Sequence, residues 1–188
     1  MVDSYEQLRE RPTDNKEQEE YYSGKASKHT FKSQIIILPD ASDIVDVIAG
    51  EPGPKSDITL FRENRDNFDT KQKFQGDLGY LGEDLIDTPI KTPRNRKLTS
   101  DPKQENQQFS SKRVFVEHRI RSVKIFRVVQ ERFRLNPQKY AEVILTICGE
   151  SALREGFPLQ ATANPKGLVR LRIGALILPT KIAPLPSG

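Results

Sequence analysis

Hydrophobic positions along this chain gather in a few short runs separated by long polar stretches. One run lies in His29–Leu38 and ends in Ile35-Ile36-Ile37; a second occupies Ile44–Ile48, with Pro39-Asp40-Ala41-Ser42 between them. Two β-branched runs bridged by a turn cluster predict a hairpin. Gly50-Glu51-Pro52-Gly53-Pro54 should break the second strand, after which Ser56 or Asp57 can cap a short helix carrying Ile58, Leu60 and Phe61. Tyr5–Glu20 is polar, contains Pro12 and holds no period of 2 or 3.6, so it reads as a loop.

Further along, Lys73–Tyr80 predicts a brief strand ending in Asp77, whose flanking Gly76 and Gly79 would let the backbone turn sharply. Thr88–Pro102 is basic and interrupted by Pro89 and Pro93, which predicts a loop. Between Lys103 and Arg134 there is no Gly or Pro, so one long helix or two closely spaced ones should fill it before Asn136-Pro137. Tyr140, Val143, Ile144 and Ile147 then recur at helical spacing, the stripe of a core-facing helix over Pro137–Cys148. Strands followed by helices predict a mixed α/β fold, a layered sheet with helices packed on it.

The length of 188 residues suits one domain. With 35% hydrophobic and 30% charged residues, both a core and solvated segments are expected. Apolar stretches such as Ile35–Leu38 and Ile173–Leu178 fall far short of the ~20 residues of a membrane span. The polar, acidic start has no export signal, so a soluble, cytoplasmic protein without a membrane partner is expected. A single Cys148 forms no internal disulfide, and with two histidines it makes no typical structural zinc site.

Charge changes this picture more than composition does. The net value is only +4, but residues 1–90 hold 11 Lys/Arg against 19 Asp/Glu, a balance of −8, while residues 91–139 hold 14 against 4, a balance of +10. The basic block could supply affinity for a phosphate backbone, or be a solvated helix surface; charge alone leaves both open. Within it, Arg113, Glu117 and Lys124 fall within about 40° of one another on a helix, with Arg121 slightly further round. This face is either a carboxylate among phosphate-binding cations or a set of intrahelical ion pairs. Asp3, Asp77 and Glu117 are candidates to hold a hard divalent cation, which takes oxygen ligands, although spacing does not single them out among 26 acids. Asp57 reads as a helix cap before a contributor to the site, Phe74, Tyr80, Phe115 and Phe126 as core before base-stacking rings, and His29 and His118 as residues without a partner motif.

These residues carry a resemblance. Val2-Asp3-Ser4, Tyr21–Lys25 with Lys28–Lys32, Gly76-Asp77-Leu78-Gly79-Tyr80, and Arg113 to Glu117 with Lys124 resemble the DDE transposases of bacterial insertion sequences, particularly the cyanobacterial type. Where the family has a Tyr three residues before the Arg, this chain has Ser110. The resemblance implies an RNase H-like fold, a mixed sheet flanked by helices with its acids converging at one edge. It also implies that Asp3, Asp77 and Glu117 hold two Mg²⁺ (or Mn²⁺) ions. Arg113, Arg121, Lys124, Lys28 and Lys32 would contact DNA, and the working form in the DNA complex would be a homodimer. The implied chemistry is strand cleavage at transposon ends followed by transfer to target DNA. By the same comparison the chain is expected to be truncated at its amino terminus, which would leave Asp3 on a fraying end. Residues 1–149 and 168–178 should form the catalytic domain, 150–167 an inserted protruding loop and 179–188 a disordered tail. A copy lacking upstream sequence is alternatively an inactive remnant that keeps at most non-specific DNA binding.

Overall fold

The computed structural model describes residues 1–39, 44–91, 100–153, 159–163 and 169–173. Its elements are strand β1 (Val2–Leu8), helix α1 (Asn15–Tyr21), the two-residue β2 (Tyr22–Ser23), β3 (Lys28–Ile37), β4 (Ile44–Pro52), α2 (Asp57–Glu63), the short β5 (Phe74–Gln75) and β6 (Ile86–Asp87), α3 (Ser100–Val123), α4 (Arg127–Gln130), α5 (Tyr140–Leu153), β7 (Leu159–Ala163) and β8 (Val169–Ile173). The fold is mixed α/β, as expected. Its larger sheet runs β1-β3-β4-β8-β7, with β2 also on β3, and every described ladder in it is antiparallel. Among the described residues, parallel pairing is confined to the separate β5–β6 ladder and a lone bridge between Arg9 and Phe133, so the expected mixed sheet is divided between two sheets.

The hairpin of β3 and β4 forms where the apolar runs predict it, with the residues of the intervening turn, 40–43, outside the described set. Its second strand does not end at Gly50. Lys32 pairs with Glu51 and Ser33 with Ala49, so Gly50 bulges out of the ladder at φ 93°, a conformation that suits glycine, and the strand resumes to Pro52. Tyr5–Glu20 is not a loop either, since the second half of β1 and nearly all of α1 fall in it. The buried members that hide the strand's period are polar. Gln7 donates through Nε2 to the carbonyls of Val128 and Glu131, and Arg9 pairs with Glu17 while lying over the rings of Tyr21 and Phe31.

Alternation along the strands divides the interior in two. Ile35, Ile37, Val47 and Ala49 face Val116, Ile120 and Val123 of α3 and Tyr140, Ile144 and Cys148 of α5. On the other side of the sheet, Val2 and Ile36 pack with Phe61, Tyr80, Leu85 and Ile86. The predicted α5 stripe is core: Tyr140 stacks on Phe31 at 4.2 Å between centroids and its hydroxyl meets Ser33 Oγ at 3.1 Å. Phe115, expected inside, is 45% exposed because α3 buries its other face.

Residues 150–167, expected as a protruding loop, instead contain the end of α5 and all of β7, which pairs with β8. Leu-Gln-Ala-Thr-Ala and Val-Arg-Leu-Arg-Ile both carry a period of 2, the pattern that favours an antiparallel pair over a loop. The expected tail, 179–188, and residues 92–99 of the expected basic loop lie outside the described residues. No helix among the described residues is long and apolar enough to cross a membrane.

Candidate active site

Asp3 sits on an anchored strand. Val2 pairs with Ile36 and Asp3 with Ile35, and the Met1 nitrogen donates to the Ile37 carbonyl at 2.7 Å, so the expected fraying of this end is not observed. Strand parity turns neighbouring side chains to opposite faces. Asp3 therefore goes with Met1 and Tyr5 toward α3, and Ser4 goes with Val2 toward α2.

Asp77 lies just after β5, where its Oδ1 accepts from the Gly79 nitrogen at 2.8 Å and caps a single 3₁₀ turn, Leu78–Tyr80. Its glycine neighbours are needed for space rather than for turning, since neither has positive φ. A Cβ on Gly76 would come within 2.8 Å of the Tyr80 ring and 2.9 Å of Ile86, and one on Gly79 within 2.8 Å of Asp77 Oδ1. Tyr80 fills the smaller core and its hydroxyl accepts from Gln34 Nε2 at 3.0 Å.

Glu117 projects from α3, half exposed, one helical turn beyond Arg113. Arg113 reaches both acids: Nε is 3.4 Å from Glu117 Oε1, and a terminal nitrogen is 3.9 Å from Asp77 Oδ2. These are ion pairs rather than hydrogen bonds, because Arg113 Nε is hidden from solvent yet makes none. Asp3 also feels this guanidinium. Burial pushes the Asp3 carboxyl up from 3.8 to about 6, the Ser4 nitrogen and Arg113 oppose that, and Asp77 and Asp57 add to it. A cavity of about 40 Å³ opens beside Asp77 and Arg113, with Gln75 and Ser110 also in its lining.

Of the expected DNA-facing cations, Lys28 and Arg121 are exposed. Lys124 is half-buried, with its ammonium 4.9 Å from the centre of the Tyr5 ring; burial lowers its pKa and Asp3 opposes the shift. Lys32 corrects the expectation. Its side chain is only 8% exposed, and its ammonium donates to Asp57 Oδ1 at 2.9 Å and to the Lys55 carbonyl, so its charge is used inside the protein. Asp57 likewise is not the helix cap: Ser56 caps α2, accepting from the Thr59 nitrogen, while the Asp57 carboxylate takes Ser4 and Lys32. With Ser56 beside it the sequence offers two cap candidates, and only the packing of β1 on α2 shows which one is diverted.

The donor set is all oxygen, which suits a hard divalent cation. Asp77 and Asp57 add to the cost of ionising Asp3, and a cationic guanidinium already lies among the acids. Among the described residues, no three His, Cys, Asp or Glu side chains are gathered closely enough to hold a metal ion. Acids interleaved with cations along one edge of an α/β fold can handle a phosphodiester, the acids through cations and the cations directly.

The chain belongs to the DDE superfamily endonuclease family, which matches residues 2–149. It is 33% identical over 144 residues to the probable transposase for insertion sequence element IS702 of Microchaete diplosiphon, covering 74% of this chain. The chain spans about half (51%) of the length of that curated relative. No solved structure matches it. The transposase resemblance read from Asp3, Asp77 and the Arg113–Glu117 helix is therefore borne out at the level of family.

Proposed function

We propose that this chain is the catalytic part of an insertion-sequence transposase with an RNase H-like arrangement, acting in the cytoplasm on the DNA of transposon ends and target. One observation carries the reading: a single guanidinium, that of Arg113, lies within ion-pair range of Asp77 and Glu117 and acts electrostatically on Asp3. Three acids that are distant in sequence thus share one cationic neighbour, in a chain of the DDE superfamily endonuclease family.

Asp3, Asp77 and Glu117 are the residues that would hold two Mg²⁺ or Mn²⁺ ions. Bound there, such ions supply activation of an attacking hydroxyl and stabilisation of the leaving oxygen. The chain's own part is positioning. β1 fixes Asp3 through the sheet, the Gly79 nitrogen fixes one oxygen of Asp77, and α3 presents Glu117 together with Arg113 and Arg121, with Lys124 just past its end. Arg113 and Lys124, with Arg121 and Lys28 further out, orient the DNA backbone, and two copies would act together on a pair of ends.

The test is cleavage of transposon-end DNA with Mg²⁺ or Mn²⁺. Asp77→Asn and Glu117→Gln should each reduce cutting more than about 100-fold, beyond what loss of a supporting residue costs. A folded wild-type chain that binds this DNA in a salt-sensitive way but never cuts it sinks the nuclease and leaves only phosphate binding.

A further inference from the structure

Ser4 joins two acids. Its backbone nitrogen donates to Asp3 Oδ1 at 2.8 Å, and its hydroxyl donates to Asp57 Oδ1. The same Asp57 oxygen accepts from Lys32 Nζ at 2.9 Å, and Lys32 is in turn tied to the Lys55 carbonyl. The Asp57 backbone is also held, since its carbonyl accepts from Gln34 Nε2 at 3.2 Å. One oxygen of Asp57 is thus clamped from the sheet on two sides.

The other oxygen points elsewhere. A Cβ placed on Gly79 would lie 3.1 Å from Asp57 Oδ2 and 2.8 Å from Asp77 Oδ1, so the two carboxylates flank the same glycine. Asp57 therefore sits between the two expected ligands, linked to Asp3 through one residue and meeting Asp77 across a residue without a side chain. Its carboxylate is 28% exposed and its partner Lys32 is nearly buried, which makes it a built-in contact rather than a loose surface pair.

We propose that Asp57 is a positioning residue of the proposed metal site: held by Lys32, it fixes Ser4, and through Ser4 the carboxylate of Asp3, opposite Asp77. The inference rests on the reading that Asp3 and Asp77 bind metal. Lys32 belongs to this clamp, and its charge balances Asp57 so that the support adds no unpaired charge beside Asp3. Gly79 belongs to it as well, because a side chain there would push Asp57 and Asp77 apart.

The experiment is titration of the folded chain with Mn²⁺ alone, followed by electron paramagnetic resonance of the free ion, with thermal melting as a check of folding. Asp57→Asn should weaken Mn²⁺ binding by about 10- to 100-fold, the range for a residue that supports a ligand. Ser4→Ala should do the same, and the double variant should be no weaker than either single one, because both cut the same chain of contacts. Asp77→Asn separates the two levels. If wild type binds no Mn²⁺, or Asp77→Asn binds as wild type does, the metal-site reading fails. If Asp77→Asn loses binding while Asp57→Asn or Ser4→Ala matches wild type, the positioning role alone is overturned. Additive losses in the double variant, or a loss in Asp57→Asn as complete as in Asp77→Asn, also overturn it, since Asp57 would then be a ligand in its own right.

Discussion

The two apolar clusters on either side of the β1–β3 ladder are built from different kinds of sequence. The larger one collects side chains from β1, β3, β4, α3 and α5, residues far apart in the chain. The smaller one sets Val2 and Ile36 against a single stretch, Phe61 to Ile86, rich in aromatic rings: Phe61 stacks on Phe68 at 5.3 Å and meets Phe74 edge-on at 5.4 Å. The larger cluster holds the fold together. The smaller one is a platform that carries Asp57 and Asp77 to the sheet edge, where they approach Asp3 and the α3 residues Arg113 and Glu117 from the larger cluster's side, so the candidate site draws on both faces of the same strands.

Cutting into the larger cluster should have the greatest effect. Tyr140→Ala removes a buried ring stacked on Phe31 and should cost about 3–5 kcal/mol, read by urea denaturation as one cooperative transition. Two separate transitions, with the smaller cluster surviving, would break the comparison at its base. Asp3, at the edge between the clusters, gives the next effect. Its carboxyl is raised in the fold, so between about pH 4 and 6 the folded chain holds the proton longer than the unfolded one, and stability falls as pH rises through that window. With chelator present, Asp3→Asn should remove that fall and raise stability at pH 7 by at most roughly 3 kcal/mol, visible as a higher Tm. An unchanged pH profile would mean that Asp3 is well solvated.

Smaller changes sharpen the contrast. Tyr80→Phe deletes one buried hydroxyl from the platform and should cost about 1 kcal/mol in denaturant unfolding, chiefly by leaving Gln34 short of a partner. Lys139→Ala breaks an exposed pair with Glu142 at the start of α5 and should shift stability by less than about 0.5 kcal/mol; a larger loss would show that this end of α5 is anchored by charge rather than by Tyr140 and Ile144.

The larger cluster was readable from sequence because its strands and α5 obey simple periods: Ile35 and Ile37 on one face of a strand, and the stripe through Tyr140, Ile144 and Ile147. β1 was not, since Gln7, and Arg9 just past the strand's end, are buried against partners that periodicity does not reveal, two carbonyls near residue 130 and the rings of Tyr21 and Phe31. In the candidate site, the shared helix face of Arg113 and Glu117 was legible from spacing, which left an ion pair and a phosphate-facing site both open, and the choice of Asp77 came from resemblance. Lys32 and Asp57 were not. A lysine on a strand looks the same in sequence whether it faces solvent or an aspartate, and the choice between Ser56 and Asp57 as cap is made by Ser4, more than fifty positions earlier.

The opposed aim of Asp3 and Ser4 makes β1 intolerant of slippage. Shifting it by one position along β3 would turn the acid toward Phe61 and Tyr80 and bring the hydroxyl round to the long helix, because every side chain on a strand changes face together. Gain or loss of a single codon inside β1 would therefore leave a chain that still folds around Ile35 and Tyr140 but has traded its acid for an alcohol at the edge, a change of one face with the scaffold kept.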